Sequence, residues 1–471
     1  MTFGIKSLEL GKSYTFNVIA EDGVNHFAAE LNLSPEAIIL KIMGERHEGR
    51  DFSCGWGEID QLTCRDLNST FLLQKLRLVS SSSRMIPHRN RSIGFFENVY
   101  EVDHVIFSPN NVYQDGIVLS LSIHSEAIKK WVGNTEKQEE IIRSYHNKEP
   151  IFDSPEKLTE FGQEMPNYGG VYVGYNLSMH SSSPGFSSGI CFPPSISLVF
   201  ENPISINASY CKYLEIYSLL ALFNGNDFAV DLIEVKFGSS SFSQAGTIYF
   251  PTTNNIPRHD QGYPLFPLGK NIRFDSLGLP ELPLESFNYY FSLPDKKRGY
   301  FKKLLTYQRM DNPEERFLGF FRILESLCFK KKFFLDEDVL EDLSKRIKPY
   351  LVKRFNDKKS VASFLKGIPR YNGSKYNTEK CIQDFYVKVP VEISKNWTVQ
   401  KSDIGSICSL RNDITHANDY YVSVHEVEEK SKFVEVLLIL ALFESINIDL
   451  SVSSRIIDRL SGYHLVTKNV A

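Results

Sequence analysis

At 471 residues the chain is too long for one ordinary domain, and about 150 residues per domain suggests two or three. Hydrophobic residues make up 42% and charged residues 23%, which suits a chain that folds in water and excludes disordered, collagen-like and coiled-coil compositions. The formal net charge of −4 conceals two halves of opposite sign: residues 1 to 294 hold 22 Lys+Arg against 33 Asp+Glu, and residues 295 to 471 hold 31 against 24.

In chain order, strands are expected at SYTFNVIA from Ser13, EAIILKIM from Glu36, STFLLQKLRLV from Ser69 and GIVLSLSI from Gly116. Each is rich in β-branched and aromatic residues and bounded by turn formers. Glu126 to His146 reads as helix, VYVGYNLSM from Val171 as strand, and Cys211 to Asn224 as helix with Tyr213, Ile216, Leu219, Leu220 and Phe223 on one face. AVDLIEVKF from Ala229 is a further strand. Alternation of apolar and polar residues in several of these segments is that of half-buried strands in a sandwich. Short Ser-rich stretches such as Ser80 to Ser83 read as turns.

Pro251 to Pro294 is Pro/Gly-punctuated and poor in periodicity, and reads as a connection draped over the surface. A boundary near Pro294 marks the change of architecture, since 17 of 21 prolines and 22 of 28 glycines precede residue 295. Beyond it the period becomes helical: Lys296 to Met310, a helix opened by Asn312-Pro313-Glu314-Glu315, Asp336 to Phe355, a stretch near Lys358 to Gly367, Ser402 to Asn418, and Val424 to Ile446. The expected fold is therefore α+β and multidomain. It comprises a β-rich, sandwich-like domain over 1–294, with 251–294 as its connecting segment, and an all-α up-and-down helical bundle over 295–471.

The longest apolar run, Val436 to Phe443, falls far short of the roughly 18 residues of a membrane span. The N-terminal MTFGIKSLELGKSY has no apolar stretch followed by a cleavage site, so a cytoplasmic protein is expected, with no membrane partner. Seven scattered cysteines without a C-x-x-C pair argue against a disulfide framework or a zinc site. Walker, dinucleotide, H-E-x-x-H and G-x-S-x-G signatures are absent, the histidines of the β-rich part lack ligand spacing, and no cofactor or metal is expected.

One string carries chemistry: SLRNDITHAN, around Arg411, Asn412, Asp413 and His416. Cleavage of RNA by its own 2′-OH needs a group to take a proton, a group to return one, and a cation for the phosphorane charge. His416 suits proton transfer, Arg411 presents a planar fork to phosphate, and Asn412 adds a neutral hydrogen-bonding side chain. Five residues at about 100° each put Arg411 and His416 about 140° apart on a regular helix. Either the helix ends between them or the site is shared across a symmetric dimer. With 20 Arg and 11 His, chance alone yields about half an occurrence of R-x4-H. A second occurrence, RLSGYH at Arg459 and His464, is taken as the chance one, being interrupted by glycine and placed in a frayed C-terminus. The plainer reading of the first is a surface arginine beside a histidine that caps a helix C-terminus.

RNDITH ahead of a long apolar helix, with RFLGFFRILESLC (Arg316 to Cys328) on an earlier helix, resembles the HEPN superfamily and specifically its ApeA-like branch. The resemblance covers roughly residues 296 to 450. The β-rich part is similar, more loosely, to the N-terminal domain that accompanies ApeA-type HEPN domains. The resemblance implies a ribonuclease active in bacterial anti-phage defence by abortive infection, with RNA such as tRNA as substrate. It implies catalytic positions at Arg411, Asn412 and His416 in a site formed where two copies meet, hence a homodimer or higher homo-oligomer. Glu325 and Asp413 are second-tier candidates, Glu325 for orienting the catalytic groups. The N-terminal domain is expected to act as a regulator or sensor, with a phage protein as possible trigger.

Basic runs around Lys302, Lys303, Lys330, Lys331 and Lys332, interleaved with aromatics, are candidates for guiding RNA, and the positive helical half for attracting it. They equally suit the wet faces of amphipathic helices. Two other functions fit the sequence: a catalytically silent HEPN dimer that binds nucleic acid or protein, and a ligand-binding β-sandwich with a helical oligomerisation domain.

Overall fold

A computed structural model of the protein describes residues 5–21, 25–46, 58–88, 91–109, 116–150, 154–182, 187–238, 244–253, 263–270, 278–330, 333, 335–372 and 377–468. The chain forms two compact units, Met1–Arg309 and Met310–Ala471.

The first unit begins with an antiparallel hairpin of β1 (Tyr14–Glu21) and β2 (His26–Leu33). Its alternating residues Val18, Ala20, Phe27, Ala29, Leu31 and Leu33 are buried, as a strand with one apolar face requires. β3 (Ile38–Arg46), β4 (Glu58–Arg65), β5 (Thr70–His88) and β6 (Arg91–Ser108) follow. The strands run in the order β3, β2, β1, β4, β5, β6, and β3 also pairs with β6 from Ile38↔Val102 to Arg46↔Gly94, which closes the six into a ring. Closure removes the exposed edges that an open sheet of this length would present. Ser80 to Ser83 lie inside β5, paired with Val99 to Phe96 after a register shift at Leu78/Ser80, and do not form a turn.

β6 runs on past its pairing with β3 while still paired with β5, and on its other side Val105 to Phe107 pair with β14 (Gln244–Tyr249). From there the sheet continues through β13 (Leu232–Phe237), β7 (Ile117–His124), β12 (Pro194–Ser205), β9 (Gly169–Tyr175) and β8 (Thr159–Met165), while β10 (Ser178–Ser182) and β11 (Ser187–Cys191) form a separate hairpin. The expected sandwich is thus realised as a closed ring that runs into an open sheet.

The helix expected over 126–146 is two, α1 (Glu126–Val132) and α2 (Glu136–His146), broken where Gly133 takes a φ of 71°. α3 (Ser209–Asn224) is apolar nearly all round and buries Tyr213, Ile216, Leu219, Leu220 and Phe223. The described parts of residues 251–294, namely 251–253, 263–270 and 278–294, are not a surface strap. Leu265, Phe266 and Leu268 are fully buried, Trp131 Nε1 donates to the Phe266 carbonyl at 2.7 Å, and α4 (Glu285–Ser292) packs on β8. α5 (Asp295–Gln308) packs on α3, so the first unit extends to Arg309, past the boundary expected at residue 294.

The second unit is helical: α6 (Pro313–Cys328), α7 (Glu337–Phe355), α8 (Lys358–Asn372), α9 (Thr378–Tyr386), α10 (Val391–Ser394), α11 (Ile404–His416), α12 (Val424–Ser445) and α13 (Leu450–Ser453). Asn312 caps α6 by accepting from the Glu314 and Glu315 amides, as the Asn-Pro-Glu-Glu sequence dictates. α12 buries an unbroken run from Phe433 to Phe443 and packs chiefly on α6, which also meets α9 and α11. Glu435 lies within that run and is held by Lys432 Nζ at 2.8 Å. α7 and α8 form a hairpin. The C-terminal segment is anchored, contrary to the frayed end expected: Trp397, fully buried, donates to Tyr463 Oη at 2.8 Å, and the Thr398 amide donates to the Val466 carbonyl at 2.7 Å.

Candidate active site

The site grows from the helical register of α11. Ile404, Ile407 and Leu410 are its buried residues, and Arg411, four after Ile407, follows the same side. α6 presents Phe321 and Glu325 to it, themselves four apart. Arg411 Nη2 donates to Glu325 Oε2 at 3.2 Å, and the guanidinium lies 5.6 Å from the centre of the Phe321 ring. A cation over an aromatic face is worth about 0.5–2 kcal/mol, so ring and carboxylate together fix the guanidinium plane. Glu325 is fixed in turn, because Thr378, the first residue of α9, donates its hydroxyl to Oε1 at 2.7 Å. Arg411 Nη1 donates to Asn412 Oδ1 at 3.0 Å. Its Nε is buried without an acceptor among the described residues.

The helix does not end between Arg411 and His416. It runs through both and stops one residue later, where Ala417 turns left-handed with φ 52° and the Asn418 amide donates to the Asp413 carbonyl at 2.9 Å. The first of the two geometric alternatives therefore fails, and the two side chains leave the helix about 140° apart. His416 stands exposed on the last turn and makes no hydrogen bond or ion pair with the described residues. Asn412 is exposed beside Arg411. Asp413 belongs to the helix end, where its carboxylate accepts from Asn418 Nδ2 at 3.3 Å.

Glu325 is thus brought to Arg411, whereas Asp413 is not. Lys330 is exposed just beyond α6, with Nζ 3.5 Å from Asp384, and Lys331 and Lys332 lie outside the described residues. Lys302 and Lys303 sit on α5 in the first unit, not with Arg411 and Lys330 in the second. This changes the charge distribution: the first unit holds 28 Lys+Arg against 34 Asp+Glu, and the second 25 against 23. The second unit carries a formal charge of +2, against +7 for residues 295–471. His464 is exposed on the anchored C-terminal turn.

Three neighbours escape a reading of the motif alone. Phe321 and Thr378 act through α6 and α9, and only the i,i+4 spacing of Phe321 and Glu325 hints at a shared face. Cys408, three residues before Arg411, has its thiol pushed up to about 11, by burial first and then by the charge of Glu379, with Arg411 opposing. Among the described residues no group of three or more His, Cys, Asp or Glu is placed to hold a metal ion.

Comparison with known families agrees with this architecture. The ApeA N-terminal domain 1 model matches residues 12–278, more than half the chain, and the Apea-like HEPN model matches residues 318–451. The chain is an ApeA-like HEPN protein. No curated protein and no solved structure matches it. The HEPN match spans the last turns of α6, including Phe321 and Glu325, and all of α11 and α12. Membership places the ApeA-like protein in a nuclease-type, anti-phage family. Among its described residues no helix is long and apolar enough to cross a membrane.

Proposed function

We propose that this ApeA-like HEPN protein is a metal-independent endoribonuclease of anti-phage defence that cuts host or phage RNA, such as tRNA, at a site made of Arg411, Asn412 and His416. The observation that carries the reading is the held guanidinium: Arg411 is fixed by Glu325 and Phe321 at the end of a helix whose last residue is an exposed histidine. Because the two side chains diverge on one helix, the reading requires two copies of α11 about a two-fold axis, so that the histidines and arginines of both converge on one phosphate.

In the proposed reaction one His416 takes the proton of the ribose 2′-OH, and the freed oxygen attacks the adjacent phosphorus. The bond from phosphorus to the 5′ oxygen breaks, and that oxygen leaves with a proton from the second His416. The products are a 2′,3′-cyclic phosphate and a 5′-hydroxyl. Arg411 bears the phosphorane charge and Asn412 holds a non-bridging oxygen. The first unit is read as the regulatory element that answers a trigger, a phage protein being the candidate.

His416→Ala and Arg411→Ala should each lower cleavage of total tRNA by about 100-fold or more and leave a soluble, folded protein, with melting unchanged for the exposed His416 and somewhat lowered for Arg411, which leaves Glu325 without its cation. Cleavage should survive EDTA and leave cyclic phosphate ends, read by end-specific labelling, and His464→Ala should cleave normally. Strict dependence on magnesium, or a dead His464→Ala, sinks the reading. A catalytically silent RNA-binding module is the second reading, favoured by the ion pair that already occupies Arg411. It predicts RNA bound in gel shifts and left intact.

A further inference from the structure

A cavity of about 300 Å³ opens in the first unit between the N-terminal segment, α3, the residues that precede β13 and those that follow β14. Four aromatic side chains line it in a row: Phe250, Tyr213, Tyr217 and Phe228, with ring centroids 5.5, 5.6 and 5.0 Å apart and each ring tilted by 38°, 34° and 40° from the one before. Tyr213 and Tyr217 are four apart on α3 and so share a face. All four residues are at least nine-tenths buried, so the wall is built before any ligand arrives.

Two polar groups of the lining are left open to an occupant. Tyr213 is 2% exposed and its hydroxyl makes no hydrogen bond among the described residues, whereas that of Tyr217 donates to Asp227 at 3.0 Å. A hydroxyl so deeply set costs about 1–3 kcal/mol unless something in the cavity answers it. Asp231 is the one charged residue of the lining. Its Oδ2 accepts from the Glu126 amide at 2.7 Å, its carbonyl accepts from the Leu10 amide at 2.8 Å, and no basic side chain pairs with it among the described residues. The guanidinium of Arg309 is already committed to Asp227, at 2.7 and 2.9 Å.

Charge and rings together select the occupant. Aromatic rings attract a cation, and a carboxylate without a counter-ion, in a unit of net negative charge, attracts the same species. A phosphate or carboxylate ligand is repelled by Asp231, and a neutral ring would suit the walls while leaving that charge unanswered. The volume takes an ammonium head together with a short apolar stem. We propose that this cavity binds an alkylammonium group, either a free amine or a lysine side chain of another protein, whose N–H groups answer Asp231 and the Tyr213 hydroxyl. The proposal stands apart from the RNA site, which lies on α6 and α11, and its test uses no RNA.

The test is calorimetric titration of the full-length protein with two probes, cadaverine as a free amine and N-acetyl-lysine methylamide as a capped side chain, with N-acetyl-norleucine methylamide as their neutral match. An amine probe should bind with micromolar to millimolar affinity and raise the melting temperature, and the norleucine probe should do neither. Tighter binding of the capped lysine identifies a protein side chain as the source, and tighter binding of cadaverine a free amine. Asp231→Asn keeps a carbonyl oxygen for the Glu126 amide but loses the charge, and should weaken amine binding by about tenfold or more. Tyr213→Phe removes only the unpartnered hydroxyl, and should weaken amine binding by about threefold or more without lowering the melting temperature of the ligand-free protein. Should Asp231→Asn fail to fold, Tyr213→Phe decides. Absence of amine binding, equal binding of the norleucine probe, or unchanged amine affinity in the folded variants overturns the proposal.

Discussion

His104 shows how one side chain ties acid stability to the ring of strands. It sits on β6 at 4% exposure, its Nδ1 2.8 Å from Asp103 Oδ2, its ring 4.2 Å from that of Tyr210, and its Nε2 buried without a partner among the described residues. Burial pulls its pKa below the ordinary histidine value, and Asp103 offsets part of that. A folded-state pKa below the unfolded one means that the unfolded chain takes up the proton first. The contribution of His104 is then whole above about 6.5 and is lost as pH falls from there through its depressed value. Wild type should therefore lose more in melting temperature between pH 7.5 and 5.5 than His104→Gln does. Parallel losses in the two proteins would place the acid sensitivity elsewhere. At the proposed site, the sequence names Arg411, Asn412, His416 and the glutamate that the structure sets behind Arg411. Phe321 and Thr378 are not named by it, because their contacts come from the packing of α6 and α9 on α11, which no local spacing encodes. In the proposed reaction they act as positioning residues: Thr378→Val should lower the cleavage rate by a few fold and leave RNA affinity unchanged, since Glu325 keeps Arg411 but loses its own anchor.

At the scale of elements, the helices announced by caps were placed closely: Asn312 ahead of α6 and Asp336 ahead of α7 stand where the sequence puts a helix start. α9, at nine residues, carries too few turns to show a period, and it was missed. The closure of β3 on β6 was also beyond reach, because it joins residues from 48 (Arg46↔Gly94) to 64 (Ile38↔Val102) apart through a register that only the assembled ring defines. Trp397 makes a related point about the C-terminus, where glycine and short 3-10 turns suggest fraying. Its indole, fully buried against Tyr386 and Phe433, ties residues 396–398 to 463–468. Trp397→Ala should cost about 3–5 kcal/mol, measured by urea unfolding, from lost packing and the stranded Tyr463 hydroxyl. A loss below about 1 kcal/mol would mean that the tail is not part of the folded unit.

For the whole molecule, the consequential departure from the sequence is the ownership of α5. Its period joins it to the helices that follow, yet Tyr300, Phe301, Leu304 and Leu305 are buried in the first unit, where α5 lies on α3. Periodicity reports that a helix has an apolar face and is silent on which neighbour covers it. Past the end of α5, Arg309 completes the attachment: Nε and Nη2 donate to Asp227 at 2.7 and 2.9 Å, and Asp227 also accepts from Tyr217 at 3.0 Å. The Asp227 side chain is only 1% exposed, so its charge depends on that fork. Removing one partner of a buried pair leaves an uncompensated charge and costs about 3–5 kcal/mol. Two ways of cutting the chain follow. A fragment of residues 1–294 lacks α5 and Arg309 and should be largely insoluble or melt far below a fragment of residues 1–309. A fragment of residues 295–471 carries the apolar face of α5 without its cover and should aggregate where 310–471 stays monodisperse. Arg309→Ala in the full chain should reproduce the instability of the short N-terminal fragment without any truncation. Soluble yield, size-exclusion profile and melting of the four fragments decide the matter, and equal behaviour of 1–294 and 1–309 would return the boundary to Pro294.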